Sequence, residues 1–102
     1  MYLYNVTFMA DENTLSWWDN WMRTQYLPAV EAASDNVKYT VFKIVEPICA
    51  PDTHSFSCQW TSHSLADLEK TRLMSERQLA KLQPQVGEGC VFVSSFMKKT
   101  EL

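Results

Sequence analysis

Glycine, proline and positive charge are all scarce in this chain. Its 102 residues include two glycines and four prolines, which excludes a collagen-like, low-complexity or mainly disordered protein. Nine lysines and arginines stand against twelve acidic residues, and a net charge of −3 gives no basic surface for binding nucleic acid. Hydrophobic residues make up 46% of the chain. We therefore predict a single domain over residues 1–102, ending in a polar tail at 98–102.

Targeting and membrane signals are missing as well. The first nine residues contain no lysine or arginine ahead of an apolar stretch, so they do not resemble a signal peptide. No window approaches the roughly 20 apolar residues that a membrane-spanning helix needs. From this we expect a soluble, cytoplasmic protein without a membrane or nucleic-acid partner.

The cysteines and histidines do not form a metal-binding pattern. Cys49, Cys58 and Cys90 are widely spaced and include no C-x-x-C pair. His54 and His63 lack ligand spacing to the cysteines and to each other. We expect free thiols that pack as small apolar side chains, and neither a metal ion nor a cofactor.

The first third of the chain reads as a strand followed by a helix. Apolar residues alternate over 2–9, which predicts a strand with one strongly apolar side. Capping residue types follow, and apolar residues then recur at helical spacing over 15–33. Pro28 lies inside this stripe, and we predict that it bends or ends the helix near Tyr26.

The remaining elements complete an alternating α+β order. We predict strands over 37–45, 54–61 and 90–97, and a helix from the cap at Ser64 to about Leu82, stopped by Pro84 and Gly87. The resulting order, β-α-β-β-α-β, is that of the ferredoxin-like sandwich. Such a fold places two helices on one face of a four-stranded antiparallel sheet.

The strands over 37–45 and 90–97 are hydrophobic on both faces. In a lone domain of this kind the face without helices meets water, and its residues should be polar. Burying four such side chains contributes about 6–12 kcal/mol before opposing costs. We therefore predict a homodimer that covers this sheet face with a second copy, with tolerated surface hydrophobics as the alternative.

Arg72 is the first candidate for a functional residue. The inward stripe of the second predicted helix contains Leu65, Leu68, Leu79 and Leu82, and Arg72 lies within it. A guanidinium in that place must be paired or must reach solvent. One interpretation is an ion pair with Glu31 or Glu46; an anchor for an anionic ligand and a subunit contact are the alternatives.

Aromatic residues supply the other candidates. Tyr26 and Trp60 are candidate walls of a ligand cavity between the sheet and the first helix, with core packing as the alternative. His54 titrates in the range of a general base, although the sequence places no acidic partner beside it. Trp17 and Trp21, one turn apart, predict either an exposed contact surface or partial burial.

Four short motifs run through the chain: Tyr4-Asn5-Val6-Thr7, Tyr26-Leu27-Pro28-x-Val30, Ser55-Phe56-Ser57-x-Gln59-Trp60 and Arg72-Leu73. With these motifs the chain resembles a family of small bacterial proteins of unknown function, similar to the dimeric α/β-barrel group of ferredoxin-like folds. It differs from the family pattern at Ala29, where a glutamate usually follows the proline. The resemblance implies the fold and the dimeric barrel, and it supplies no reaction.

Two hypotheses for function follow. The first is a non-catalytic binding or structural module, a homodimer that holds a small ligand between sheet and helices. The second is a small cofactor-independent enzyme, monooxygenase- or isomerase-like, and it rests on analogy of fold alone.

Overall fold

The elements of the chain follow the predicted order, with two short additions. The computed structural model describes residues 1–48 and 50–102, so the predicted free thiol of Cys49 lies outside the described residues. The elements are β1 (Tyr2–Asp11), α1 (Leu15–Trp21), a π-helical turn (Met22–Tyr26), α2 (Leu27–Glu31), β2 (Lys38–Ile44), β3 (Thr53–Ser62), α3 (Leu65–Leu79), α4 (Gln83–Val86), a 3-10 turn (Gly87–Gly89) and β4 (Cys90–Lys98). This arrangement confirms the α+β ferredoxin-like fold.

The four strands form one antiparallel sheet in the order β2-β3-β1-β4. Strand β1 lies inside the sheet and pairs with both β3 and β4; Tyr4, for example, stands opposite Trp60 on one side and Phe96 on the other. Because neighbours in register share a face, the alternation in β1 is continued across the whole sheet.

One face of the sheet packs against the helices. The alternate residues of β1 on this face, Tyr4, Val6, Phe8 and Ala10, are each at most 1% exposed. Phe8 lies at the centre, with its ring centroid 5.4 Å from that of Trp18 and 5.6 Å from that of Tyr26. The aromatic side chains of the first helical segment thus supply much of the core above β1.

The first helix changes its hydrogen-bonding pattern just before Pro28. A π-helical turn occupies Met22–Tyr26, and α2 then begins at Leu27 with Pro28 in its first turn. Proline has no backbone N–H, so it cannot bond to the carbonyl of Thr24 one turn earlier. The interruption predicted near Tyr26 therefore takes the form of a change of helix type, and helical backbone continues to Glu31.

The second long helix is shorter than predicted. It was expected to reach about Leu82, but α3 ends at Leu79 and the separate turn α4 begins at Gln83. Pro84 lies in the first turn of α4, where its missing N–H costs nothing, whereas inside a continuous helix it would leave the carbonyl of Ala80 without a partner.

A buried hydroxyl cluster connects the sheet to both helical segments. Ser75 on α3 is fully buried, and its Oγ lies 3.1 Å from Tyr4 Oη and 2.7 Å from Tyr26 Oη. Burial raises the pKa of both tyrosines above the ordinary value, so all three groups remain neutral hydroxyls. The cluster fixes how α3 and the π-helical turn sit on β1.

Replacing Ser75 with alanine tests the contribution of this cluster. The variant leaves two buried tyrosine hydroxyls without their shared partner, and we expect a loss of about 1–3 kcal/mol in the free energy of unfolding, measured with urea. Ser16→Ala on the exposed side of α1 is the matched control and should change that free energy by less than about 0.5 kcal/mol. Equal losses in the two variants would contradict the assignment.

Candidate functional site

The structure leaves a groove between the first helix and strand β2. Its volume is about 380 Å³. The lining residues are the apolar Trp18, Met22, Leu27, Val41 and Phe56 and the charged Asp19, Arg23 and Lys43. A mainly apolar cleft with a few charged groups at its border is the usual form of a small-molecule site.

The groove exists because the sheet is wider than the helical layer above it. The aromatic residues of the first helix pack on β1, whereas β2 lies at the sheet edge. Tyr39 and Val41 pair with Trp60 and Cys58 and so face the helix side, yet each is 37% exposed. The first helix therefore stops short of β2, and the gap between them is the groove.

An aromatic stack forms part of the groove. The rings of Trp18 and Phe56 lie with centroids 4.5 Å apart and planes inclined by only 26°. Trp18 is 3% exposed and its indole nitrogen has no hydrogen-bond partner among the described residues. The accessible aromatic part of this wall is therefore the half-buried Phe56, with Trp18 stacked on its ring.

The charged groups of the groove differ in whether they are paired. Arg23 donates from Nε to Asp19 Oδ2 over 3.0 Å, and this hydrogen bond raises the pKa of Arg23. Lys43 forms no ion pair with any residue that the structure describes. The groove therefore carries one positive charge without a counter-ion.

Further cavities continue from the groove along β2. A cavity of about 670 Å³ is lined by residues that include Pro28, Glu31, Asp35, Lys38 and Tyr39. The charged residues of this cavity are of both signs. A further cavity, lined by residues that include Leu27 and Arg23, lies between it and the groove. The groove proper is the more apolar part of this side of the molecule.

Two of the residues predicted for the site, Tyr26 and Trp60, lie together in the core. Both are fully buried, and their ring centroids are 6.2 Å apart. Neither is among the groove residues; Trp60 instead lies beneath Tyr39, with centroids 4.9 Å apart. They pack behind the groove, on the core side of the residues that line it.

His54 has an acidic neighbour that sequence reasoning did not identify. Its Nε2 lies 2.8 Å from Glu12 Oε2, and the two side chains are 24% and 65% exposed. Register explains the pair: Ala10 stands opposite His54, and Glu12, two residues further, stays beside β3 through a backbone hydrogen bond to Asp52. Only the pairing of β1 with β3 brings Glu12 to His54, and the spacing of the two residues along the chain does not reveal it. His54 does not line the groove.

Arg72 forms the ion pair that one interpretation predicted, but its partners and its place on the inward stripe were predicted wrongly. Its carboxylate partners are Glu69 and Glu76 of the same helix, not Glu31 or Glu46, and its side chain is 35% exposed. The guanidinium carbon lies 5.6 Å from the ring centroid of Phe96, in a cation–π contact. Hydrogen bonding to Glu69 raises the pKa of Arg72.

The physical reason is the orientation of α3. Its buried residues are Leu68, Thr71, Ser75 and Leu79, and Leu65, expected on the inward stripe, is 46% exposed. The buried stripe thus passes beside Arg72 and includes two hydroxyl residues, one of which serves the tyrosine cluster. Arg72 lies at the border of the stripe and takes its partners from its own helix.

The tryptophan pair on α1 is half inside the core. The rings of Trp17 and Trp21 are stacked, with centroids 6.1 Å apart, as their spacing predicted. Trp17 is 36% exposed but Trp21 only 1%, because Trp21 packs against Tyr26 and Phe8. An exposed pair is therefore the wrong interpretation, and partial burial is confirmed.

The described thiols are buried and protonated. Burial raises the pKa of Cys58 to about 12 and that of Cys90 to about 11. Neither is in a disulfide. Across residues 1–48 and 50–102 no group of three or more His, Cys, Asp or Glu side chains is arranged to hold a metal ion. Within the same residues, no helix combines the length and the hydropathy that crossing a bilayer requires.

The sheet face away from the helices carries a polar strip between apolar borders. Ser57 Oγ donates to Asn5 Oδ1 over 2.5 Å, Asn5 Nδ2 donates to Thr7 Oγ1 over 3.0 Å, and Gln59 Nε2 donates to Ser57 Oγ over 3.3 Å. The apolar border residues on the two edge strands are Phe42, Val91, Val93 and Met97, each 45–59% exposed. We call these eight residues the open sheet face.

Comparison with known proteins identifies the family. The domain described as DUF4286, a domain of unknown function, matches residues 1–100. The chain belongs to this family. No curated protein matches the chain. The DUF4286 assignment agrees with the resemblance drawn from the four motifs, and like that resemblance it names no reaction.

Solved structures with the same fold include proteins of very low sequence identity. A dimeric ferredoxin-like protein from an uncultured marine organism aligns at a TM-score of 0.65 and 12% identity, covering 99% of this chain and 98% of that one. A second dimeric ferredoxin-like protein from such an organism aligns at 0.55 and 14% identity, covering 95% and 91%. An ethyl tert-butyl ether d (ethd) family protein from Bacillus halodurans c-125 aligns at 0.66 and 9%, covering 98% and 100%. At these identities the likeness shows the ferredoxin-like fold.

Replacing Arg72 with leucine should cost little stability. Its carboxylate partners lie on the same half-exposed helix face, and such pairs contribute less than about 1 kcal/mol. We expect the free energy of unfolding, measured with urea, to fall by no more than that amount. A loss of about 3 kcal/mol or more would show that a buried charge has been stranded, and would contradict the geometry described here.

The buried thiols should resist labelling. In a Cys49→Ser variant the remaining cysteines are Cys58 and Cys90, and we expect no reaction of the native protein with Ellman's reagent at pH 8 and two reacting thiols in urea. Because folding raises both pKa values above the ordinary 9.0, the stability they contribute is complete below about pH 9 and is lost as the pH rises toward 11–12. Rapid labelling of the native variant would contradict their burial.

Proposed function

We propose that this DUF4286 protein is a homodimeric binding module, in which a second copy covers the open sheet face and the groove beside β2 holds a small ligand. The observation that carries the proposal is the set of half-exposed apolar side chains on the two edge strands, Phe42 on β2 and Val91, Val93 and Met97 on β4. Exposed apolar patches of this kind mark interaction sites.

The extent of the open sheet face supports a second copy as its cover. Four strands spaced about 4.8 Å apart, with about 3.4 Å per residue along each, give a plan area on the order of 500 Å². Side-chain relief increases that area toward the roughly 800 Å² per partner that is typical of stable protein interfaces. A sheet-to-sheet contact would use all of it.

The polar strip supports the same arrangement. Asn5, Ser57 and Gln59 already exchange hydrogen bonds within one chain. Their polar groups are therefore partly satisfied before any partner arrives, and covering them with another sheet costs less than covering unpartnered amides. Desolvation of the open sheet face is therefore less costly than its polar centre suggests.

The comparisons add support through fold. Two of the solved structures that share this fold are described as dimeric ferredoxin-like proteins. A dimer is therefore an established outcome for this architecture. On this chain the open sheet face carries four half-exposed apolar side chains on the two edge strands, which a second copy would cover.

An enzyme is the second candidate, and the His54–Glu12 pair is the observation that favours it. A carboxylate 2.8 Å from an imidazole can orient it as a general base. The pair lies outside the groove, however, and the charged groups that line the groove are Asp19, Arg23 and Lys43. Because the candidate base and the candidate ligand site do not converge, binding without catalysis is the better-supported function.

Val93→Lys tests the dimer. Val93 is 59% exposed on the open sheet face, so a lysine fits one chain but places two charges in an apolar contact between copies. We expect light scattering at micromolar concentration to give twice the 11.8 kDa chain mass for the native protein and the single mass for the variant.

Leu73→Lys is the matched control. Leu73 is 52% exposed on the outer side of α3, away from the sheet, and this variant should remain dimeric. A native protein that is monomeric at micromolar concentration would overturn the dimer, as would a Val93→Lys variant that stays dimeric.

A further inference from the structure

We infer that the groove beside β2 takes a small organic anion with a flat apolar body, an aromatic carboxylate of one or two rings, and that Lys43 holds its charged group. This inference rests on the ligand-binding half of the proposed function and is independent of the dimer. It assigns the chemical class of the ligand and the residue that selects it.

The volume of the groove limits the apolar body of the ligand to one or two rings. A volume of about 380 Å³ lies near the lower end of the range for ligand sites, which is about 300–1,000 Å³. One or two fused rings with a short substituent fit that space. A nucleotide or a longer chain would extend beyond the apolar part of the groove.

The walls of the groove favour a flat apolar body. Phe56, half-buried and stacked on the buried Trp18, and Val41, 37% exposed, both project from the sheet and form one wall of the groove. A planar ring lying on this wall is covered on its other face by Met22 and Leu27 of the helical segment, so apolar surface is removed from water on both of its faces. Aromatic rings also gain from offset stacking on such a wall.

The position of Lys43 favours a negative charge on that ring. Lys43 stands opposite Phe56 in the pairing of β2 with β3, two residues beyond Val41 on the same face of the strand. Its side chain thus leaves the sheet beside the aromatic wall. A carboxylate attached to a ring that lies on Phe56 comes within reach of the ammonium group.

The remaining charges of the groove strengthen this preference. The carboxylate of Asp19 is already engaged by Arg23, whereas Lys43 has no counter-ion among the described residues. A cationic ligand would meet the like charge of Lys43 and would have to compete with Arg23 for Asp19. An anionic ligand can form an ion pair with Lys43 without displacing another residue.

Three probes of equal shape test the assignment: 2-naphthoate, 2-naphthylmethanol and 2-naphthylmethylamine, titrated calorimetrically into the native protein. We expect the naphthoate to bind roughly two- to five-fold more tightly than the alcohol, the range for a partly exposed ion pair, and the amine to bind most weakly. This preference should shrink as salt is added, while the affinity of the alcohol stays constant.

Lys43→Gln identifies the source of the preference. In this variant the naphthoate should bind no more tightly than the alcohol, and the alcohol should bind as it does to the native protein. Lys81→Gln removes the same charge from an exposed position between α3 and α4, and should leave all three affinities unchanged. A charge preference that survives Lys43→Gln overturns the role of Lys43.

Val41→Trp locates the binding. The larger ring fills the groove from the strand side, so all three probes should lose at least ten-fold in affinity while light scattering still reports the native mass. Binding that persists in this variant lies elsewhere and overturns the inference. If the three probes bind the native protein equally, the anionic class of ligand is overturned but the groove remains a site. If no probe binds, the ligand-binding half of the proposed function is overturned, and the proposal of a dimer is unaffected.

Discussion

Strand β1 is the element on which the rest of the structure depends, because its backbone hydrogen bonds to both β3 and β4. Its strict alternation sends Tyr4, Val6, Phe8 and Ala10 toward the helices and the residues between them toward the open sheet face. Register then carries that division to every other strand. A slip of one residue would turn the polar strip toward the helices and the core residues toward the open sheet face. The apolar core and the polar strip therefore both favour the same register.

The proportions of the two layers create both candidate surfaces. Helices pack over the central strands, with Trp18 and Tyr26 against Phe8, and leave the edge strand β2 uncovered on the helix side. The groove with Lys43 is the result on that side. On the other side no element of the described part of the chain covers the sheet, and Phe42 and Val93 remain half exposed or more. The proposed ligand binding and the proposed self-association thus use opposite faces of the same strands, and each can be tested without disturbing the other.

Two hydrogen-bonded clusters show how polar side chains are accommodated, one in the core and one on the open sheet face. Ser75 satisfies the hydroxyls of Tyr4 and Tyr26 inside the core, where an unpartnered hydroxyl would be costly. Asn5, Ser57 and Gln59 do the same on the open sheet face. In the first cluster the polar residues join three elements; in the second they satisfy one another on the face that we propose a second copy covers. Both depend on residues distant in sequence, such as Ser75 and Tyr4, which are brought together by the strand and helix order.

Periodicity by itself determined the element order, the ferredoxin-like fold and the two-sided hydrophobicity of the edge strands, because alternation and helical spacing are local properties of the chain. It also indicated that Pro28 interrupts the first helix, because the missing N–H acts within one turn. The partner of His54 was decided only by tertiary structure, because the pairing of β1 with β3 brought Glu12 to it. The partners of Arg72, Glu69 and Glu76, lie three and four residues away on the same helix, a spacing that the sequence contains. Tertiary structure decided only that α3 turns this face partly toward solvent. The groove, likewise, depends on how far a helix extends across a sheet, a distance between layers that no spacing along the chain encodes.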